Sequence, residues 1–293
     1  MELTNAGFKV SRIGLGCMSL PTEKSKAERI IKSALDEGIT FFDTADLYQK
    51  GQNESVLGEV LKSTRNDLIL ATKVGNVWRQ DGSGWDWNPK KEYILKAVEE
   101  SLTRLKTDYI DLYQLHGGTI DDPWEETLEA FELLKSQGKI RAFGISSIRP
   151  NVIRKVTAMS VPDTIMMQYS PMDRRPEEVV FPALEQSETR VLVRGAFAKG
   201  FLIDKSVSEY LGYSTHQVAD FQKAIQDIGL RPEAVLIAFG LSQPAVASLV
   251  IGASSQEQVK RIGKGWNESK EVGEDLIQGL RRKFPTNHYH SHR

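Results

Sequence analysis

Four ionisable side chains stand at or just past short apolar runs of the chain. Asp43 follows Thr40-Phe41-Phe42, Tyr48 lies five residues further on, Lys73 follows Leu68-Ile69-Leu70-Ala71-Thr72, and His116 closes Tyr109-Ile110-Asp111-Leu112-Tyr113-Gln114-Leu115. Such runs read as buried strands, whose interiors hold packing residues, so polar groups collected at their exits suggest a site. A free phenol has a pKa of about 10 and is a poor acid at neutral pH. An ammonium beside it stabilises the phenolate and lowers that value. Lys73 can supply the ammonium, Asp43 can keep it charged and aimed, and His116 can hydrogen-bond and orient a substrate oxygen. The set suits proton delivery to a carbonyl while a hydride arrives from elsewhere.

The elements that must position these residues follow a regular alternation. Strand candidates appear near 12–16, 40–43, 68–72, 109–115, 140–145, 164–168, 190–194 and 247–251, with amphipathic segments between them. In Lys24–Glu37 the residues Ala27, Ile30, Ile31, Ala34 and Leu35 share one helical stripe, and Gly38 is placed to end the helix. Lys90–Leu105 repeats the pattern after Asn88-Pro89, and Thr127–Leu134, Glu177–Gln186 and Asp275–Lys283 read as further helices. Strands alternating with helices predict α/β architecture, a (β/α)8 TIM barrel with an N-terminal β-hairpin, in one domain over 1–293. An open doubly wound sheet is the alternative. Arg12-Ile13-Gly14-Leu15-Gly16 lacks the third glycine that would open a helix in a dinucleotide-binding turn.

Composition narrows the function. With 38 basic and 39 acidic residues the net charge is -1, which makes no electrostatic case for nucleic acid or an anionic membrane. No apolar run approaches the roughly 20 residues of a membrane span, and the N-terminus does not resemble a signal peptide. The single cysteine, Cys17, rules out internal disulfides and a cysteine-based zinc cage. The tail His288-Tyr289-His290-Ser291-His292 reads as solvated, and no metal site is expected. A cytoplasmic protein, monomeric or oligomeric, acting on a small molecule is the expectation. Two long strand-to-helix connections lie where the site belongs: Val74–Trp87, with Trp78, Trp85 and Trp87, and Ala196–Gln217, which ends at a helix start near Ser214-Thr215.

The motifs are specific enough to compare with a known family. Phe42-Asp43-Thr44-Ala45-Asp46-Leu47-Tyr48 followed by Gly51-Gln52-Asn53-Glu54-Ser55-Val56-Leu57-Gly58 resembles the second-strand motif of the aldo-keto reductases. Leu70–Gly75 is similar to their lysine strand, Asp108–His116 to their histidine strand, and Gly138–Ser146 to their fifth-strand signature. Leu3–Gly16 matches their N-terminal hairpin and first strand, so the resemblance spans roughly residues 2–265. It implies reduction of aldehydes or ketones with NADPH, yielding NADP+, with Tyr48 as proton donor, Lys73 and Asp43 tuning it, and His116 placing the carbonyl. It further implies that Gly16, Cys17, Met18, Ser146 and Gln168 line the nicotinamide. Ala198, Lys199, Gly200 and Leu202 belong to the loop over the pyrophosphate, and Gly252, Ser254 and Gln258 to the stretch at the adenosine 2′-phosphate.

Some positions depart from that pattern. Ser147 stands where an asparagine usually holds the carboxamide, and keeps a donor and an acceptor on a shorter side chain. Arg194 replaces a stacking aromatic ring. A guanidinium also stacks, but its charge should disfavour the oxidised, cationic nicotinamide. The 2′-phosphate stretch lacks a basic residue at its first contacts, which leaves serines, helix N–H groups and Lys260 or Arg261 to serve. Two other functions use the same residues: a cofactor-sensing regulatory protein with slow turnover, and a Schiff-base lyase with Lys73 as nucleophile. With little chain left for a long C-terminal loop, an open pocket for small aromatic or aliphatic aldehydes is expected, shaped by Val74–Trp87.

Overall fold

The computed structural model describes residues 2–3 and 7–293. A short antiparallel pair, β1 (Glu2–Leu3) and β2 (Phe8–Lys9), begins the chain. Thr4, Asn5 and Ala6, between the two strands, lie outside the described residues. Every one of the eight apolar runs then forms a strand: β3 (Ile13–Gly16), β4 (Phe41–Asp43), β5 (Ile69–Val74), β8 (Ile110–Leu115), β9 (Ile140–Ser146), β10 (Thr164–Gln168), β11 (Arg190–Arg194) and β12 (Val246–Gly252). They close in chain order into a parallel barrel, as expected, with β12 returning to β3.

The missing pair, β6 (Asn76–Trp78) and β7 (Trp85–Trp87), is a hairpin inside the long connection after β5, where the sequence suggested only a loop. Trp78 and Trp85 pair across it, with ring centres 5.5 Å apart. Trp87 lies over Gly75, where a Cβ would stand 2.6 Å from its ring. Only glycine admits the indole there.

Helices α1 (Lys24–Asp36), α2 (Gln52–Leu61), α3 (Lys91–Leu105), α4 (Trp124–Ser136), α5 (Pro150–Met159), α6 (Val180–Leu184), α7 (Thr215–Gln226), α8 (Pro232–Leu241), α9 (Gln256–Glu268) and α10 (Glu274–Lys283) surround the barrel. The helix expected over Glu177–Gln186 shrinks to α6, preceded by a 3-10 turn at Arg175–Glu177. Pro182 removes a helix N–H in its middle. Glu177 ends that turn, its carboxylate held by Tyr169 and Arg174. Ser214 caps α7 through a reciprocal bond with Gln217.

Two packed layers follow from strand alternation. Phe41, Ala71, Leu112, Ala142, Met166 and Leu192 fill the barrel interior, and Phe8 and Val10 join them from the N-terminal segment. Side chains on the other strand faces pack against the helices. Because the strands are parallel, Gly16, Asp43, Val74, Leu115, Ser146, Gln168, Arg194 and Gly252 all stand at one end.

The tail is not solvated along its length, contrary to expectation. Tyr289 is 6% exposed, and Asn287 bonds Met172 and Arg174 across the chain. The apolar body of Tyr289 explains this, since an aromatic ring stabilises a docked segment that the histidines around it do not.

Candidate active site

Asp43 ends β4, and Lys73 stands one residue before the end of β5; they are 4% and 1% exposed. Lys73 Nζ donates to Asp43 Oδ2 and to the Thr44 carbonyl, both at 2.6 Å. The ammonium lies 5.3 Å from the centre of the Tyr48 ring. His116, directly after β8, meets the same ring edge-on at 5.9 Å. Four residues from three separate stretches of the chain are thus neighbours at one strand-end cluster.

The backbone works to hold this arrangement. Tyr48 opens a 3-10 turn in which Gln49 and Lys50 take left-handed φ values of 52° and 55°. Such conformations cost non-glycine residues about 1–2 kcal/mol each. The turn is tied down by Gln49 Nε2 donating to the Leu20 carbonyl and Asn53 Nδ2 donating to the Cys17 carbonyl. Thr44 Oγ1 donates to Asn53 Oδ1 at 2.6 Å. Glu54, fully buried, accepts from Thr72 Oγ1 and Arg104 Nε, each at 2.6 Å, and so links α2 to β5 and α3.

Electrostatics sharpen the roles open to each group. Burial opposes the Lys73 charge, but Asp43 and Tyr48 outweigh it and hold the ammonium above the ordinary lysine range. His116 is pushed down to about 3 by burial and by the charges of Lys73 and Arg194, so its imidazole is neutral at physiological pH. Its Nδ1 is buried with no partner among the described residues. Cys17 is wholly buried, and its thiol is pushed up first by burial and then by Asp43. A thiol so held is not a nucleophile.

The remaining predicted residues ring the same face. Gly16 pairs with Gly252 across β3 and β12, so neither strand end carries a side chain there. Met18 is 62% exposed beside them. Ser146 ends β9, and Ser147 is buried, with its Oγ accepting from Arg149 N–H. Arg194 ends β11 and its Nη1 donates to Gln168 Oε1 at 3.1 Å. Ala198 and Lys199 take φ values of 46° and 58° ahead of Gly200, and Leu202 is buried. At the start of α9, Gln258 Oε1 accepts from Ser254 N–H at 2.7 Å and from its Oγ at 3.1 Å.

One candidate phosphate contact is already engaged. Arg261 Nε donates to the buried Glu233 at 2.6 Å and its Nη1 to Asp204 at 2.7 Å. The guanidinium is therefore committed to two carboxylates, which leaves Lys260 as the exposed cation of that helix start.

A model of the Aldo/keto reductase family matches residues 12–270. The chain belongs to the aldo/keto reductase family. Its oxidoreductase character follows with the family. The chain is 46% identical over 303 residues to "Uncharacterized oxidoreductase YqkF" of Bacillus subtilis (strain 168), covering 100% of this chain and 98% of that one. Among solved structures it matches the holo form of aldo-keto reductase AKR11C1 from Bacillus halodurans with a TM-score of 0.92 at 46% identity, covering 97% of this chain and 95% of that one. The apo form of the same enzyme matches with a TM-score of 0.83 at 42% identity over the same shares. A glycerol dehydrogenase, AKR11B4 from Gluconobacter oxydans, is similar at 25% identity and a TM-score of 0.79, over 95% and 93% of the two chains.

This aldo/keto reductase fold explains why some residues at the site escape a reading of the sequence. Gln114 bonds Asp43, yet it sits inside an apolar run; the available signal was a polar residue two positions before His116, on the same strand face. Asp46 has a buried Oδ1 with no partner among the described residues and lies within a motif whose other members have visible jobs. Tyr210 accepts from Gln168 Nε2 at 2.8 Å from a loop whose path no periodicity shows. The tryptophans divide: Trp78 and Trp87 anchor the hairpin through bonds to the Leu47 carbonyl and Asp122, whereas Trp85 is 51% exposed. A cavity of about 330 Å³ lined by Glu177, Phe181, Gln243 and Arg281 includes none of these site residues.

Proposed function

We propose that this reductase converts aldehydes and ketones to alcohols with NADPH, Tyr48 delivering the proton, Lys73 and Asp43 supporting it, and His116 orienting the carbonyl. The observation that carries the reading is the buried Lys73–Asp43 pair, with its ammonium facing the Tyr48 ring and a neutral imidazole edge-on to that ring. A fixed positive charge in a water-poor site favours the phenolate left after proton transfer. A neutral imidazole can donate one N–H to the carbonyl oxygen without competing as the acid. The same protonated Lys73 is a poor nucleophile, which argues against Schiff-base chemistry.

The residues present fit a nicotinamide dinucleotide. The paired Gly16 and Gly252 leave a floor without side chains, where a Cβ on Gly252 would stand 3.7 Å from the Gly16 carbonyl. Ser147 and Gln168 supply donors and acceptors for a carboxamide, and Arg194 a planar group for the ring face. When bound, the nicotinamide supplies the hydride. Ala198–Leu202 would cover the pyrophosphate, and Ser254 with the N–H groups of α9 would hold the ribose phosphate. With Arg261 engaged, one charge-assisted contact, about 1.5–3 kcal/mol, is what remains to distinguish NADPH from NADH. The preference in kcat/KM should accordingly lie at about 10–100-fold. Arg194 should also favour NADPH over NADP+; a ratio of their dissociation constants near unity would count against that. The reading takes the cytoplasm as compartment and a small carbonyl compound as substrate, with the exposed Trp85 at the rim of an open pocket.

The direct test is Tyr48→Phe, assayed by NADPH oxidation with a panel of aromatic and aliphatic aldehydes. We expect kcat to fall by about 10²–10⁴-fold, the usual worth of a positioned acid, with NADPH binding retained. Parent-level turnover in this variant would overturn the assignment of the phenol. A parent chain that binds NADPH but turns over none of the panel would favour a cofactor sensor instead.

A further inference from the structure

A glutamine inside a barrel is an awkward residue, because its amide must find partners where water is scarce. Gln114 is fully buried on β8, directly opposite Lys73 in the β5–β8 register. Its Nε2 donates to Asp43 Oδ1 at 3.2 Å, while Lys73 occupies Oδ2 at 2.6 Å. The carboxylate is therefore held at both oxygens, by a charge on one side and by a neutral amide on the other. The orientation of the amide is dictated by that carboxylate, since turning it round would set two oxygens against each other. The consequence is visible at its other end, where Oε1 is buried and has no partner among the described residues. Leaving such an acceptor unpaired costs about 1–3 kcal/mol, which a leucine at this position would avoid. The bond to Asp43 is what the glutamine provides in return.

We propose that Gln114 is a positioning residue that keeps Asp43 ionised and aimed at Lys73, and thereby holds the ammonium against Tyr48. The inference rests on the catalytic reading above. Burial pushes the Asp43 carboxyl up, against the pull of Lys73 on β5, Gln114 on β8 and Arg194 at the end of β11; Cys17 after β3 also faces it, and Tyr48 and His116 lie beyond Lys73. Lys73 and the neutral amide of Gln114 hydrogen-bond its carboxylate.

The test compares Gln114→Met, Gln114→Glu and Tyr48→Phe, using benzaldehyde and NADPH from pH 5 to 9. Thermal melts and NADPH affinity by fluorescence are measured on each variant. Gln114→Met removes the donor at nearly constant volume, so Asp43 takes up a proton more readily. The acid limb of kcat/KM should move up by about one pH unit and kcat near neutrality fall by about tenfold, with NADPH affinity within about twofold of the parent. Gln114→Glu gives the opposite slope: its carboxyl donates the same bond while protonated and repels Asp43 once ionised, so activity persists at acid pH and declines as pH rises. A merely space-filling glutamine would alter the melting temperature and leave both limbs where the parent has them. Parent-like pH profiles in both glutamine variants, beside an inactive Tyr48→Phe, would overturn the role of Gln114 alone. An active Tyr48→Phe would instead remove the reading on which it depends.

Discussion

At the residue scale, burial decides which groups titrate where function needs them. His116 carries its proton less readily in the fold than in the open chain, with a value of about 3 set by burial and by Lys73 and Arg194. The unfolded chain therefore binds more protons below an ordinary histidine value of about 6.5, and the contribution of His116 to stability is lost as pH falls from there toward 3. Activity should accordingly show no histidine limb near pH 6.5, and a steady-state profile with such a limb would refute a neutral imidazole. Asp46 runs the other way. Burial, then Glu54, raise it to about 8, against the opposing pull of Arg104. Its folded form keeps a proton that the unfolded chain has given up, so stability is lost as pH rises from about 4 through 8. Asp46→Asn removes that loss. The variant should match the parent near pH 4 and exceed it increasingly as pH rises to 9, by on the order of a few kcal/mol, read from melts at both values. Asp43, Lys73 and His116 were legible in the sequence because each stands at or beside the end of a run that reads as a strand. Gln114 and Asp46 were hidden, since what marks them is a partner or an orphaned atom supplied by another element.

At the element scale, the strands were legible almost to the residue, because buried parallel strands demand continuous apolar runs with polar ends. The hairpin after β5 was not, since three residues per strand carry too little periodicity to separate from a loop. The contact between α2 and α3 was hidden for another reason: it depends on the absence of an atom. A Cβ on Gly58 would stand 2.5 Å from the Arg104 carbonyl oxygen and from the Leu105 carbonyl carbon, both of them backbone. Helix propensity alone favours alanine over glycine by about 1 kcal/mol. Neither backbone atom can rotate away, however, and overpacking of this kind costs about 1–3 kcal/mol or more. Gly58→Ala should therefore destabilise the protein, and because α2 carries Asn53 and Glu54, it should lower kcat as well. A raised melting temperature would show that the two helices do not approach so closely.

At the scale of the whole molecule, the last residues complete the face that carries the site. Arg174, after β10, donates to the carbonyls of Arg281 and Phe284 at 2.8 Å, and its N–H donates to Asn287 Oδ1. Tyr289 N–H donates to Glu178, the Arg175 guanidinium lies 5.3 Å from the Tyr289 ring, and the His292 carbonyl accepts from Asn151 N–H in the first turn of α5. That last bond satisfies a helix N–H with no intrahelical partner. The tail thus fastens the connections that follow β9 and β10, the strands that end in Ser146 and Gln168. Composition could not show this, because only one of its residues is strongly apolar and its partners lie more than a hundred positions away. Truncation after Phe284 removes the buried ring and leaves Arg174 N–H and Glu178 without their present partners. A loss of about 2–4 kcal/mol is expected, equivalent to several degrees in the melting temperature of a chain this size. NADPH affinity should weaken with it, because the segment that follows Gln168 is then held by fewer bonds, while kcat at saturating cofactor stays close to the parent value. An unchanged melting temperature and cofactor affinity would mean that the tail lies on the barrel without holding it.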